Sequence, residues 1–186
     1  MRIISGFLKG KRLDFINSTT TRPLRDLVKE NIFNIIQHSN LINVKIIEAN
    51  ILDVYSGIGS FGLECLSRDA KKVTFVEKDG AALKILKKNI INLRLEDKTN
   101  VLATKISSLI SQLSNTDKFE IIFLDPPFAE NFYIEDLRLI KNTNVYSKNH
   151  LIIIHRESKI EDPLINDLNI LITKKYGRSK VIFATF

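Results

Sequence analysis

The composition of this chain is that of a basic, globular protein. Its 186 residues include 28 lysines and arginines against 21 aspartates and glutamates, a formal net charge of +7, and 44% of them are hydrophobic. This hydrophobic fraction excludes wholesale disorder, and the length is typical of one domain with a substantial core. The single cysteine, Cys65, excludes a disulfide framework and favours a reducing compartment, so we expect a cytoplasmic protein.

The sequence lacks the patterns of a membrane protein and of a metal site. No apolar run approaches the roughly 18 residues of a membrane span, so we expect no membrane partner. His38, His150 and His155 lie far apart and form no cluster with Cys65. Because metal ligands come in closely spaced sets, we predict no bound metal.

The N-terminal segment combines a hairpin pattern with concentrated positive charge. Ile3-Ile4 and Leu13-Asp14-Phe15 are short apolar strands around two glycines, so residues 1–21 are predicted to form a β-hairpin extension. Residues 1–29 hold seven cations and two acids. Such clusters either neutralise nucleic-acid phosphates or form an ordinary solvated surface. The seven cations are Arg2, Lys9, Lys11, Arg12, Arg22, Arg25 and Lys29.

A helix is predicted next, because Pro23 suits a first helical turn. Apolar residues then recur with helical spacing and form a predicted core-facing stripe, which consists of Leu24, Leu27, Val28, Ile32, Ile35 and Ile36. Arg22, Arg25 and Lys29 fall on another face. That face is predicted to point at a nucleic acid or at water.

A glycine-rich loop follows the first strand of the main domain. Residues 51–55 are apolar, and Gly57, Gly59 and Gly62 then have the G-x-G-x-x-G spacing between a strand and a helix. Glycines there let the chain turn sharply and let a ligand approach the backbone. Asp53, inside the strand, is placed to bind a cationic amino-acid group directly or through water, and Tyr55 and Ser56 are expected to line that end of the site.

The next strand, residues 72–76, ends at Glu77. An acid at that point can accept hydrogen bonds from both hydroxyls of a ribose. The glycine loop and Glu77 together indicate a nucleoside-containing cofactor, and their spacing fits NAD as well as S-adenosylmethionine. Asp53 favours S-adenosylmethionine, because a dinucleotide has no amino-acid group for it to bind.

The tetrapeptide Asp125-Pro126-Pro127-Phe128 follows an apolar run, residues 119–124, that is typical of a buried parallel strand. Two prolines cannot donate backbone hydrogen bonds, so the strand must end there. Ligands of open α/β sheets bind outside such strand ends. The loop suits a flat, amine-bearing ring: Phe128 can stack on it while Asp125 and the Pro126 carbonyl accept the amine hydrogens. The alternative is a plain Pro-Pro turn with a helix-capping aspartate.

Strands and helices alternate through the rest of the chain. The predicted strands are 51–55, 72–76, 99–103, 119–124 and 149–155, and the predicted helices are 58–68, 79–92, 106–113 and 132–141. Residues 168–175 and 180–186 are predicted to add an antiparallel hairpin at one edge. Alternation of this kind predicts a single α/β domain with a doubly wound, mainly parallel, Rossmann-like sheet.

The motifs in this order resemble a known family. Asp53-Val54-Tyr55-Ser56-Gly57-Ile58-Gly59, Glu77 and the Asp125 tetrapeptide are similar to the amino-group methyltransferases that use S-adenosylmethionine. Arg2-Ile3-Ile4-Ser5-Gly6, Lys9-Gly10-Lys11-Arg12-Leu13 and Arg22-Pro23 narrow the resemblance to the bacterial 16S rRNA guanine-N2 methyltransferases. Helix residues Asp26, Glu30, Phe33 and Asn34 also match. The resemblance extends from Arg2 to Tyr176-Gly177.

The resemblance implies methyl transfer to the exocyclic N2 of a specific guanine of 16S rRNA, within the small ribosomal subunit or an assembly intermediate, by a monomer. The resemblance also implies that residues 22–186 form the catalytic core and that the N-terminal cations contact RNA. The substrate residues would be Asp125, Pro126, Pro127 and Phe128. The cofactor residues would be Asp53, Tyr55, Ser56, Gly57, Gly59, Glu77, Lys105 and Ile106. The family usually has an acid near Lys105-Ile106, so backbone groups are expected to recognise the adenine amine here.

Three alternatives remain open at this stage. A DNA or RNA adenine-N6 or cytosine-N4 methyltransferase would share both motifs, although DNA enzymes usually carry a sizeable target-recognition domain. An NAD-dependent oxidoreductase would share the glycine loop, but no acid–base pair for hydride chemistry is evident. The third alternative is an RNA-binding module without activity, against which the intact Asp125 and glycine loop argue.

Overall fold

The computed structural model describes residues 1–15, 24, 26–108, 118–127, 132–160 and 168–186. The helices are α1 (Asp26–His38), α2 (Ser60–Ser67), α3 (Gly80–Leu93) and α4 (Tyr133–Thr143). The strands are β1 (Asn50–Val54), β2 (Lys72–Glu77), β3 (Thr99–Ala103), β4 (Phe119–Leu124), β5 (Tyr146–Glu157), β6 (Asn169–Tyr176) and β7 (Ser179–Thr185). Short 3-10 turns lie at Glu96–Lys98 and Ile106–Ser108.

The seven strands form one sheet in the order β3-β2-β1-β4-β5-β7-β6. Strands β1 to β5 run parallel, and β7 runs antiparallel to both β5 and β6. The predicted fold class and the terminal antiparallel pair are therefore confirmed. The strand order reverses between β1 and β4, and a crevice for ligands opens at such a switch point, outside the carboxyl ends of the strands.

Helices cover both faces of the sheet. On one face, apolar side chains of α1, α2 and α3 pack on alternate strand residues such as Ile51, Phe75 and Ile121. On the other face, α4 packs on the intervening residues, among them Leu52 and Ile122. This alternation follows from the two-residue period of a strand, which sends successive side chains to opposite faces. The central parallel strands β1, β2 and β4 are consequently buried on both sides, whereas β3 at the edge of the sheet is half-buried.

The N-terminal segment is less regular than predicted. Instead of two strands it has one antiparallel bridge, between Arg2 and Arg12, flanked by a hydrogen bond from Ile3 N–H to the Lys11 carbonyl, 2.9 Å long. Ile3 and Leu13 are buried in the same core as helices α1 to α3. The segment is thus packed onto the domain by its two apolar ends.

Helix α1 differs from its prediction in which residues it buries. Leu27 is 65% exposed, whereas Lys29 is fully buried at 0% exposure. The helix begins at Asp26 and buries Val28, Lys29, Ile32, Phe33 and Ile36. The placement of Leu27 in the core was therefore wrong, because the stripe that meets the sheet is centred on Ile32 and includes position 29.

Two further predictions lie partly outside the described residues. Arg22, Pro23 and Arg25 are not among them, and of the predicted helix 106–113 only the 3-10 turn at Ile106–Ser108 is described. Across the described ranges, no helix combines the length and apolar character needed to cross a bilayer. Nor do the described histidines, cysteines and acids form a group of three or more that could hold a metal ion.

Candidate active site

The predicted cofactor and catalytic residues that the structure describes lie at or next to the carboxyl ends of the strands. Val54 of β1 lies between Val76 of β2 and Leu124 of β4 in the strand register. The residues that follow these three positions therefore emerge side by side: the glycine loop after β1, Glu77 at the end of β2, and Asp125 after β4. The Asp125 N–H donates to the Val54 carbonyl at 3.3 Å, which ties two of these loops together.

The glycine loop is held by left-handed backbone conformations and by Glu77. Gly57 has a φ of 54° and Gly59 a φ of 85°, a region in which glycine carries no steric penalty. The Gly57 N–H donates to Glu77 Oε2 at 2.7 Å. The other carboxylate oxygen of Glu77 accepts from the backbone N–H groups of Lys78 and Asp79, both at 2.8 Å. Glu77 thus joins the ends of β1 and β2.

Gly62 serves packing instead of a turn. A Cβ at this position would lie 2.4 Å from Phe75 Cε1 and 2.7 Å from Val73 Cγ1. The absence of a side chain therefore lets the start of α2 lie directly on β2. This close approach aims the first turn of the helix, whose N–H groups lack partners within the helix, at the site.

Asp53 lies beneath the glycine loop. It is only 1% exposed, and its Oδ2 accepts a hydrogen bond from the Gly62 N–H at 2.9 Å. Burial raises the pKa of Asp53 well above its usual range, and the nearby negative charges of Asp125 and Glu77 raise it further, while the Gly62 hydrogen bond opposes the shift. The carboxyl group faces the start of helix α2, which a sequence pattern alone does not indicate.

A cleft of about 270 Å³ lies beside the glycine loop. Tyr55, Glu77, Lys105 and Ile106 line it, so four of the predicted cofactor residues meet around one space. Ser56, Gly57 and Gly59 belong to the adjoining loop without lining the cleft. The Ser56 Oγ atom is buried and has no hydrogen-bond partner among the described residues. The other lining residues are Val54, Val76, Lys78, Thr104, Ser107, Phe132, Glu135 and Asp136.

Helix α4 contributes residues that the sequence analysis missed. Asp136 accepts a hydrogen bond from the Tyr55 hydroxyl, and Phe132, 67% exposed, lies at the start of the helix. Burial raises the pKa of Asp136, whereas the bond from Tyr55 lowers it. Glu135 and Asp136 stand in the first helical turn, where acids commonly offset the helix dipole. Because acids are common at these helix positions, the sequence alone does not indicate that Glu135 and Asp136 also line the cleft.

The Asp125-Pro126-Pro127 loop is held from strand β5. Asp125 Oδ1 lies 2.8 Å from His155 Nδ1, with the two side chains 23% and 10% exposed. The Pro127 carbonyl accepts from Arg156 at 3.2 Å. Arg156 is fully buried, with its guanidinium 4.3 Å from the centre of the Tyr133 ring. The predicted stacking residue Phe128 lies outside the described residues.

The N-terminal cations divide into exposed and buried residues. Arg2, Lys9, Lys11 and Arg12 are exposed. Lys29 is not, and the prediction that it contacts RNA was wrong. Its Nζ lies 3.5 Å from Glu64 Oε2 and donates to the Arg2 carbonyl at 2.8 Å. Burial lowers the pKa of Lys29, and the Glu64 charge opposes that shift. A buried charge must be paired, so Lys29 has a structural role.

A second cavity, of about 280 Å³, lies at the opposite edge of the sheet. It is lined by residues before β1, among them Lys45 and Glu48, and by Glu120 at the start of β4. Glu120 is engaged there, because its carboxylate accepts from the Asn50 N–H at 2.7 Å. None of the predicted catalytic and cofactor residues that the structure describes lines this cavity, so the cleft beside Glu77 is the candidate site.

Comparisons with known proteins identify a family over nearly the whole chain. The family described as conserved hypothetical protein 95 matches residues 1–185. Ribosomal RNA small subunit methyltransferase D of Haemophilus influenzae is 35% identical over 176 residues, covering 94% of this chain and 87% of that protein. Its namesake from Buchnera aphidicola is 34% identical over 182 residues, covering 98% and 88%.

A solved structure gives the same assignment of the fold. A candidate methyltransferase from Escherichia coli superposes with a TM-score of 0.82 at 27% identity, covering 99% of this chain and 96% of that one. The match therefore includes the N-terminal segment and the C-terminal hairpin as well as the central sheet. Because both relatives exceed 30% identity over nearly the whole chain, this protein belongs to the ribosomal RNA small subunit methyltransferase D family.

Proposed function

We propose that this protein transfers a methyl group from S-adenosylmethionine to the exocyclic N2 amine of one guanine in 16S rRNA. The observation that carries the proposal is the placement of Asp125 beside the Glu77-bound glycine loop, at the same edge of the sheet. The names of the relatives support an rRNA substrate of the small subunit. The choice of guanine N2 rests on the sequence resemblance.

The residues around the cleft fit this cofactor. Glu77 has the position and charge to accept ribose hydroxyls once its bond to Gly57 opens, and backbone groups at Lys105 and Ile106 can meet an adenine amine. The buried Ser56 Oγ, which has no partner among the described residues, suits a polar amino-acid end. When bound, S-adenosylmethionine supplies a methyl group on a positively charged sulfur, a good leaving group.

Asp125 and the Pro126 carbonyl would activate the acceptor amine. The lone pair of a guanine N2 amine is delocalised into the ring, which makes it a poor nucleophile. Two hydrogen bonds from the amine to these oxygens favour a pyramidal nitrogen whose lone pair points at the methyl group. Asp125 need not be a strong base, because the amine proton becomes acidic as the new bond forms. In-line positioning supplies much of the acceleration.

The base must leave its stack to reach this loop. Enzymes that modify bases offset this cost with stacking contacts in the pocket, and Phe128 is proposed to provide one. The exposed cations Arg2, Lys9, Lys11 and Arg12 are proposed to hold the surrounding RNA by its phosphates. Phe7, 59% exposed in the same segment, adds an aromatic surface on which a base can stack. We place residues 1–21 as the RNA-contacting extension of a single domain.

Mapping of methylated nucleosides tests the proposal directly. Small ribosomal subunits and naked 16S rRNA from cells lacking the gene are incubated with the protein and labelled S-adenosylmethionine, and the product nucleoside is identified by mass. We expect N2-methylguanosine at one position. A product methylated at adenine N6 or cytosine N4 would show that the target is not guanine N2. In a separate calorimetric titration, binding of NAD but not of S-adenosylmethionine would refute the methyltransferase assignment.

The role of Asp125 is tested by Asp125→Ala. We expect methyl transfer to be abolished while the affinity for S-adenosylmethionine stays nearly unchanged, because Asp125 lies after β4 and does not line the cleft. Calorimetry of cofactor binding is the control for folding. Turnover within a few-fold of the unaltered protein would remove Asp125 from the chemistry.

A further inference from the structure

We propose that His155 is a positioning residue that fixes the carboxylate of Asp125 for the acceptor amine. This inference rests on the proposed function, because it concerns the same loop. His155 lies near the end of β5, immediately after Ile154, which pairs with Leu124 in the parallel register of β4 and β5. Asp125 and His155, which follow this pair in their two strands, therefore lie next to each other.

The contact between them is direct and sheltered. His155 Nδ1 lies 2.8 Å from Asp125 Oδ1, and the histidine side chain is only 10% exposed. An ionised carboxylate can only accept hydrogen bonds, so Nδ1 must carry the proton and donate it. This fixes the imidazole as the Nδ1–H tautomer when it is neutral.

The two carboxylate oxygens of Asp125 therefore have different roles. Oδ1 is occupied by His155, whereas Oδ2 makes no hydrogen bond to a described residue and is left for the amine. An aspartate carboxyl group otherwise rotates broadly about its last bond. The donation by His155 therefore reduces the orientations that Asp125 samples and keeps one acceptor aimed outward.

The neighbouring residue holds the backbone of the same loop. Arg156 donates to the Pro127 carbonyl at 3.2 Å and is itself anchored on the Tyr133 ring. Strand β5 thus fixes the loop twice, through its carboxylate by His155 and through its main chain by Arg156. A catalytic group displaced by about 1 Å can lose on the order of a hundredfold in rate, so such support has a measurable effect.

The test compares two substitutions of nearly equal size. An asparagine side chain carries an amide N–H that can replace the Nδ1 donor, whereas a leucine side chain carries no donor. His155→Asn therefore keeps the hydrogen bond to Asp125, and His155→Leu removes it. We expect His155→Leu to lower kcat by about ten- to a hundredfold, with KM for the RNA substrate and the affinity for S-adenosylmethionine unchanged. His155→Asn should recover most of the lost kcat.

If His155 had only a structural role, His155→Leu and His155→Asn would lower kcat to the same extent. An equal loss of kcat in the two variants, or a change confined to KM, would therefore overturn the proposal. A second measurement needs no turnover: the ¹⁵N shifts of the imidazole should report a protonated Nδ1. A neutral ring protonated only at Nε2 would also overturn it. If the unaltered protein transfers no methyl group to rRNA, the proposed function fails, while the tautomer measurement still decides the contact.

Discussion

Asp53 is buried where strand β1 meets the start of helix α2, and its environment decides its charge. Loss of water around the carboxyl group raises its pKa, and Asp125 and Glu77 act in the same direction. Its one hydrogen bond within the described residues comes from Gly62. The ionised form is therefore costly unless a cation, such as the amino-acid end of the cofactor, offsets it. Perturbation of this kind is expected for a residue at a binding site.

The substitution Asp53→Asn should change how stability depends on pH. Because the pKa is raised by folding, the contribution of Asp53 to stability is fully present below the ordinary aspartate pKa of about 4 and is lost as pH rises through the raised value. Asparagine does not titrate, so the unfolding free energy of the variant relative to the unaltered protein should increase with pH. Thermal unfolding from acid to mildly alkaline pH measures this difference. A difference that does not vary with pH would contradict a raised pKa.

Glu77→Ala should weaken S-adenosylmethionine binding by about 1–3 kcal/mol, the value for losing hydrogen bonds to a charged group. The reason is its place in the cleft at the end of β2. Glu96→Ala is a matched control, because Glu96 is an exposed acid before β3, at the opposite edge of the sheet. Calorimetry on both variants gives the comparison. Equal dissociation constants would remove Glu77 from the cofactor site.

At the scale of elements, the N-terminal segment is fastened to helix α2 by buried polar groups. The fully buried Glu64 carboxylate accepts from Ile4 N–H at 2.7 Å and from Ser5 N–H at 2.9 Å. The same carboxylate pairs with Lys29 and Arg68. Removing one partner from such a buried network costs several kcal/mol, so the segment is held in one position. Its cations are thereby presented on a fixed surface.

Two glycines of this segment provide a matched test. Gly6 and Gly10 both have positive φ, 80° and 85°. A Cβ on Gly6 would lie 1.6 Å from the Ser67 carbonyl oxygen, whereas a Cβ on Gly10 meets nothing within 4 Å. Gly10→Ala should cost only the left-handed strain of about 1–2 kcal/mol. Gly6→Ala should in addition detach the segment.

The expected result for Gly6→Ala is faster hydrogen exchange at Ile4, Ser5 and Phe7 and weaker RNA binding, with cofactor affinity unchanged. Gly10→Ala should leave the exchange rates of these amides close to those of the unaltered protein. Hydrogen exchange read by mass spectrometry and RNA binding by titration make the comparison. Equal behaviour of the two variants would mean that the contact with Ser67 does not hold the segment.

At the scale of the whole molecule, chemistry and charge are distributed over different parts of the sheet. The cofactor cleft and Asp125 lie at the carboxyl edge, while exposed lysines such as Lys45, Lys71 and Lys72 lie at or before the amino ends of β1 and β2. The net charge of +7 attracts RNA to the molecule in general. The position of the bound RNA depends on which of these cations contact its phosphates.

A salt series separates these contributions. Replacing Lys9, Lys11 and Arg12 with glutamine should reduce the slope of log K against log salt by about 2–3, if each contacts one phosphate. Arg2 is left unchanged because it lies 3.6 Å from Asp26. The same replacement of Lys45, Lys71 and Lys72 removes equal charge at the amino ends of β1 and β2 and should change the slope little. Equal slopes for both triple variants would mean that the N-terminal cations have no special contact with phosphates. The RNA-binding surface would then be sought around Lys174, Lys175 and Arg178 on the C-terminal hairpin.

The sequence by itself determined the features that depend on short stretches of chain. Alternating strands and helices predicted the parallel sheet, and the glycine spacing and the paired prolines marked the loops that end β1 and β4. These signals are local, because hydrophobic period and turn chemistry act over a few residues. The family resemblance added the order of these motifs along the whole chain.

The tertiary structure decided which side chains meet. His155 contacts Asp125 across 30 positions of sequence, and Gly57 contacts Glu77 across 20. Lys29 has a helical position that suits either water or the core, and its burial is explained by partners distant in sequence, the Glu64 carboxylate and the Arg2 carbonyl. Such pairs depend on which strands and helices become neighbours. That choice is made by the packing of the whole domain, so no local pattern carries it.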